Sequence, residues 1–169
     1  MLDVGAGDGT LLSALRALGR DATGIERGAV LPGMHAVDVT QVRGSWAAIV
    51  FWHSLEHLRR PGDALTHAAG LLKPRGVLVV AIPNTDSFQA RAFGSRWFAM
   101  DVPRHLIHLP ARTLIARLED VGLRVERVSH IRGGQVVFGW LHGLVGSLPG
   151  RLDLYDAIRR PGARRTPLR

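Results

Sequence analysis

Leu2-Asp3-Val4-Gly5-Ala6-Gly7-Asp8-Gly9-Thr10 reads as a short apolar strand that breaks into a glycine-studded turn, followed at once by the helical pattern Leu11, Leu12, Leu15 and Leu18. Glycines serve such a turn because a nucleotide-like ligand can then lie against bare backbone, with positive φ permitted and no Cβ in the way. The spacing narrows the ligand. A dinucleotide fingerprint, G-x-G-x-x-G, would need glycine where Thr10 stands, whereas this chain has G-x-G-x-G at Gly5, Gly7 and Gly9.

Beyond the turn, apolar runs alternate with helical patterns. Ala47 to Leu55 and Val77 to Ile82 are near-continuous apolar runs of the kind that buried central strands need. Between them, Pro61-Gly62-Asp63 opens a helix whose inner stripe is Ala64, Leu65, Ala68, Leu71 and Leu72. Leu114, Ile115, Leu118 and Val121 repeat that pattern with Gly122 as the stop, and Leu123 to Ile131 alternates like a sixth strand. The order predicts an α/β fold, a doubly wound and mostly parallel sheet of Rossmann-like type with helices on both faces.

These stretches together resemble the class I S-adenosylmethionine-dependent methyltransferases, of the ubiquinone-biosynthesis-like kind. The glycine turn resembles the first motif of that family, Asp21 to Glu26 its second strand, ending in the acid that holds the ribose hydroxyls, and His35 to Val39 its third, which carries Asp38. Asp38 resembles the acid that reaches the adenine amino group. Ile49 to Leu58 resembles the fourth strand and its loop, and Leu72-Lys73-Pro74-Arg75-Gly76 through Pro83-Asn84 the block entering and leaving the fifth. The resemblance runs from Met1 to about Ile131 and implies S-adenosyl-L-methionine as methyl donor. It also implies a helix before the first strand and a seventh, antiparallel strand after the sixth. The expectation is therefore a first strand cut short, with only Val136-Val137-Phe138 as a weak seventh strand, in a piece or late-started reading of a longer enzyme.

Composition sets the outer bounds. At 169 residues the chain is expected to form one domain with a single substantial core. With no cysteine it has neither disulfides nor thiolate chemistry, which removes covalent attack on cytosine from the options. No secretory signal is legible at Met1, so the expected location is cytoplasmic. The formal charge of +8 would suit an anionic partner, but Arg159, Arg160, Arg164, Arg165 and Arg169 fall in a basic tail over 151–169 without apolar periodicity. Residues 132–150 are apolar and glycine-rich, too broken for a membrane span yet compatible with peripheral membrane contact. Residues 85–110 interrupt the alternation with Phe88, Phe93, Trp97 and Phe98, and form the candidate substrate lid on the 1–131 core.

The chemistry follows from the resemblance and from residue type. Methyl transfer from a sulfonium is an in-line displacement that asks mainly for alignment and dryness. Expected donor-side residues are Asp3, Gly5, Ala6, Gly7, Glu26, Asp38, Val39 and Trp52. Glu26 suits a diol because two carboxylate oxygens can accept from two hydroxyls, and Asp3, inside an apolar strand, needs a partner. Asp38 has a second reading as a cap on the turn at Thr40-Gln41. A hydroxyl acceptor needs a base, for which His53, His57 and His105 are the candidates, with His108 behind them. A metal site built from His53, Glu56, His57 and His105 is the alternative, and the main expectation is that no metal is used. The expected function is O-methylation of a small-molecule acceptor. Nucleic-acid methylation, or a non-catalytic methyltransferase-like protein, are the alternatives.

Overall fold

The computed structural model describes residues 1–28, 31–130 and 134–148. The chain divides into two compact units, where the sequence suggested one domain. The first comprises Met1–Pro83 with Leu106–Glu126, and the second Asn84–His105 with residues from Arg127 on. The division follows the break in alternation. Residues 84–105 have no strand pattern, and they group with residues of the C-terminal helix.

The first unit is the expected α/β sheet. Its strands are β1 (Leu2–Val4), β2 (Thr23–Ile25), β3 (Met34–His35), β4 (Trp46–Trp52) and β5 (Leu72–Ala81), all parallel, in the order β3-β2-β1-β4-β5. β1 sits in the middle, with Leu2, Asp3 and Val4 opposite Thr23, Gly24 and Ile25 on one side and Ile49, Val50 and Phe51 on the other. One face of the sheet carries Leu2, Val4, Ile25, Ile49 and Phe51. It is closed by helix α2 (Pro61–Gly70) through Ala64, Leu65 and Ala68, and flanked by Leu114 and Leu118 of α4 (Ala111–Asp120). Pro61 at the first helical position starts α2, and Gly122 (φ +82°) stops α4, as read from the sequence. On the opposite face α1 (Thr10–Ala17) seals a smaller cluster of Ala6, Leu12, Ala22 and Met34.

Several elements depart from the sequence reading. Of the α1 leucines, Leu12 is buried while Leu18, beyond the last turn, is 75% exposed. β5 is an edge strand among the described residues, so the apolar run over 77–82 is buried on one face only. Leu78 and Val80 point to the core, whereas Val77 and Val79 share an exposed face with Trp52. The stretch from Leu123 to His130 keeps its alternation at first but forms no ladder, and Ile131 lies outside the described residues. Val136, Val137 and Phe138 are not a strand but the start of helix α5 (Gly134–Gly146). The third strand shrinks to two residues because Asp38 caps a 3-10 turn over Val39–Gln41 and ends the extended backbone there. The basic tail over 151–169 lies outside the described residues.

The second unit holds α3 (Phe88–Phe93), two 3-10 turns at Gly94–Arg96 and Phe98–Met100, and α5. Within it aromatic residues pack on α5: Phe93 meets Trp140 edge-on at 5.1 Å and Phe98 meets Phe138 at 4.9 Å.

Phe51 is fully buried between β1 and β5. Phe51→Ala is expected to cost about 3–5 kcal/mol in urea denaturation. Val77→Thr, on the open face, should change stability by less than about 0.5 kcal/mol.

Candidate cofactor cradle and catalytic loop

Parallel strands bring the ends of β1, β2 and β4 to one edge, and the residues that follow them form the site. The chain leaves β1 at Gly5 (φ +78°), and the amides of Gly5 and Ala6 both donate to the carbonyl of Ile25, at 2.9 and 3.1 Å. That pair pins the turn to the end of β2. The next residue after β2 is Glu26, whose Oε2 accepts from the Gly7 amide at 3.0 Å while Oε1 accepts from the Arg27 amide at 2.8 Å. Glu26 therefore faces the glycine turn, held there by main-chain donors.

The two glycines at the bend are required for different reasons. A Cβ on Gly5 would fall 2.4 Å from the Cβ of Ser54, so the position is closed by protein. Ser54 is buried after β4, and its hydroxyl donates to the Val4 carbonyl, tying the ends of β4 and β1 together. A Cβ on Gly7 (φ +55°) would meet nothing within 4 Å, so the space above it is open to a ligand. Sequence reading singled out the glycines and missed Ser54. A small hydroxyl residue directly after the strand-end pair Trp52-His53 was the only available signal.

Asp3 is 3% exposed, on the face of β1 beneath the turn. Burial first, and the neighbouring Glu26 carboxylate second, push its carboxyl above the usual carboxylate value of 3.8. Asp8, at the tip of the turn, accepts from the amide and hydroxyl of Thr10 and is held below the usual value by those bonds.

The remaining donor-side candidates divide by what their side chains touch. Asp38 accepts from the amide and hydroxyl of Thr40 and forms a capping box with Gln41, whose side chain accepts in return from the Asp38 amide; the Thr40 bonds hold the Asp38 carboxyl below 3.8. The capping alternative for Asp38 is thus present. Val39 is 3% exposed and Ala6 8% exposed, both inside core clusters, so their side chains face away from solvent and only their main chain is available to a ligand. Trp52 is half exposed beside the His53 ring.

The loop from β4 to α2 carries the acceptor-side candidates. His53 has φ +52°, and its Nδ1 lies 3.4 Å from Oε1 of Glu56, which is 1% exposed. His57 ends the 3-10 turn Leu55–His57, and the Glu56 carbonyl accepts from the amides of Leu106 and Ile107. His105 belongs to the second unit, where Nδ1 is 2.7 Å from the Ala99 carbonyl and Nε2 is 3.8 Å from Asp101, itself paired with Arg104. His108 returns to the first unit.

A family described as methyltransferase domain matches residues 1–128. A ubiquinone biosynthesis O-methyltransferase of Xanthomonas axonopodis pv. citri is 27% identical over 153 aligned positions, covering 76% of this chain and 64% of the relative. The chain thus spans less than two thirds of that relative's length. Among solved structures, magnesium protoporphyrin IX methyltransferase from Synechocystis PCC 6803, with bound SAH, superposes with a TM-score of 0.63 at 15% identity, over 78% of this chain and 67% of that one. A SAM-dependent methyltransferase from Archaeoglobus fulgidus gives 0.60 at 18% identity, over 86% and 78%. The fold is the one those structures share.

Gly5→Ala adds a methyl where Ser54 already sits and is expected to cost about 1–3 kcal/mol beyond backbone strain. Gly7→Ala carries the strain alone, about 1–2 kcal/mol, so thermal melts should rank Gly5→Ala as the less stable variant. Because Asp3 titrates higher in the folded chain than in the unfolded one, stability falls as pH rises from 3.8 through its folded value. Asp3→Asn removes that trend. Its stability relative to the unmodified chain should be greatest at neutral pH and shrink as the pH drops through that window, measured by urea melts across it.

Proposed function

The chain belongs to the methyltransferase-domain family, and we propose that it binds S-adenosylmethionine over the Gly5–Gly9 turn and transfers the methyl group to an oxygen of a small-molecule acceptor. The observation that carries this reading is the Glu26 carboxylate turned to the glycine bend by the Gly7 amide. Each of its oxygens spends one lone pair on a main-chain donor and keeps another for a hydroxyl. A diol seated above Gly7 can therefore be held at both oxygens.

The residues fit the ligand electrostatically as well. The Glu26 carboxylate adds to the cost of charging the buried Asp3, and a ligand bearing an ammonium and a sulfonium offsets that cost. The open volume over Gly7 is where a Cβ would otherwise stand. Asp38 faces solvent beyond β3 and, while capping its turn through Oδ1, keeps Oδ2 for an exocyclic amine. Val39 and Ala6 contribute amide groups, and Trp52 an aromatic wall.

When bound, the cofactor supplies an electrophilic methyl on sulfur; the acceptor oxygen takes it, sulfur keeps the bonding electrons, and the hydroxyl proton leaves to a base. His53 is the best-placed base in the first unit. With Nδ1 turned to the buried Glu56, its Nε2 is free to accept a proton, and Glu56 stabilises the imidazolium that results. His57 and His105 are assigned positioning roles, the latter through the Ala99 carbonyl. The choice of oxygen is supported by the name of the Xanthomonas relative, an O-methyltransferase. No metal is required in this scheme, so turnover should be indifferent to EDTA and to added magnesium.

Methyl transfer from labelled S-adenosylmethionine to a panel of phenols, catechols and amines tests the proposal. Glu26→Gln is expected to raise the KM for the methyl donor about tenfold, equivalent to about 1.4 kcal/mol, with little change in kcat. His53→Asn is expected to lower kcat by about 100-fold with little change in the KM for the methyl donor. Transfer to amines alone, or unchanged kinetics in both variants, would contradict the scheme.

A further inference from the structure

Helix α5 is built inside out. Its packed side presents the buried residues Gly139 and Gly143 to α3. A Cβ on Gly143 would fall 2.4 Å from the Phe93 ring, and one on Gly139 2.7 Å from Gln89 Oε1. Gln89 also donates to the Val136 carbonyl at 2.7 Å. Glycine costs a helix interior about 1 kcal/mol relative to alanine, so its use at two successive turns marks a close approach of α3. Several aliphatic residues point the other way. Val137, Leu141 and Leu144 are 50–62% exposed and follow one another at steps of four and three, which is a single helix face, and Leu148, 55% exposed, follows just beyond the helix end. Phe88, 68% exposed and stacked 5.7 Å from Trp140, continues the patch onto α3.

The exposed charges on α3 and in the turn after it are basic, with Asp86 exposed ahead of the helix. No Asp, Glu, Lys or Arg occurs between Gly133 and Gly150, and Arg132 and Arg151 bracket that stretch. α3 carries exposed Arg91 on its outer side beside Phe88, and exposed Arg96 follows in the next turn. Downstream of Gly150 the sequence adds six arginines against two aspartates. A second copy of this chain would bring like-charged rims together, whereas an acidic surface matches them. At about 20 Å for 13 residues, α5 is too short to cross a bilayer, and none of the described helices is long and apolar enough to do so.

We propose that the Val137-Leu141-Leu144-Leu148 face, with Phe88, docks on an anionic lipid surface, the helix lying flat at the headgroup boundary and Arg91 and Arg96 reaching lipid phosphates. This site is separate from the cofactor cradle, and it does not depend on the catalytic reading.

Sedimentation of the full chain with phosphatidylcholine vesicles, with and without phosphatidylglycerol, tests it. The chain should pellet with the anionic vesicles, and Leu141→Gln/Leu144→Gln should weaken that binding at least about tenfold, two apolar side chains being withdrawn from the boundary. Arg91→Gln/Arg96→Gln should weaken binding to anionic vesicles and flatten its salt dependence. Hydrogen exchange in the unmodified chain provides a readout free of variants, with slowed exchange over 134–148 on vesicle addition. The proposal fails if the chain stays in the supernatant, or if exchange over 134–148 is unchanged. It fails equally if the leucine variant binds as tightly as the unmodified chain, which would assign binding to the basic tail. A mass that doubles with concentration in the absence of lipid, and reverts in the leucine variant, would identify a second copy as the occupant.

Discussion

The two amides of Gly5 and Ala6 on the single carbonyl of Ile25 are the constraint from which the site follows. A carbonyl oxygen with two lone pairs can satisfy both donors, and in doing so it fixes where β1 stops and how sharply the chain turns. Once the bend is fixed there, the next residue of β2 is Glu26 and the next free amide of the turn is that of Gly7, and the two meet. Ser54 closes the third side, with its hydroxyl on the Val4 carbonyl and its Cβ in the space that a side chain on Gly5 would need. Three parallel strand ends are thus joined by main-chain hydrogen bonding, with one serine between them. A carboxylate is left over an open hollow at the edge where α/β sheets hold their ligands.

That geometry carries an electrostatic cost. Burial holds the Asp3 carboxyl above its ordinary value, and the Glu26 carboxylate adds to that penalty. Groups arranged against their own stability are a common mark of a binding site, because the missing counter-charge arrives with the ligand. The capped Asp38 and the exposed Asp8 show the opposite pattern, with local donors holding both carboxyls in their charged forms. The contrast separates the carboxylate awaiting a partner from those that already have one.

Much of this was legible in the residues themselves. The turn at Gly5–Gly9, the acid closing β2, the Pro61 start and the Gly122 stop each depend on backbone chemistry within a few positions, and each stands where the pattern put it. What escaped depends on neighbours distant in sequence. An apolar run such as 77–82 does not reveal whether one face or two will be covered, and β5 has a partner on one side only. Val136-Val137-Phe138 suits a strand by composition, but no ladder receives it, and Gly139 and Gly143 let it wind against α3 as a helix instead. Ser54 and the inward side chain of Val39 are consequences of packing across strands, and a single sequence carries almost no trace of either. The exposure of Val137, Leu141 and Leu144 became meaningful only when the opposite side of their helix was found to be glycine.

The central claim is that bare main chain between Gly5 and Gly9, with Glu26 beside it, forms the adenosyl and methionyl seat. Titrating isotopically labelled chain with S-adenosylhomocysteine, and following backbone amide resonances, reads that seat residue by residue. The account predicts saturable shifts concentrated at Gly5, Gly7, Gly9, Glu26, Arg27 and Val39, with the α2 and α4 amides nearly still. Saturating ligand that moves none of the glycine-turn amides, or that moves a cluster elsewhere while leaving Gly7 and Glu26 in place, would contradict it.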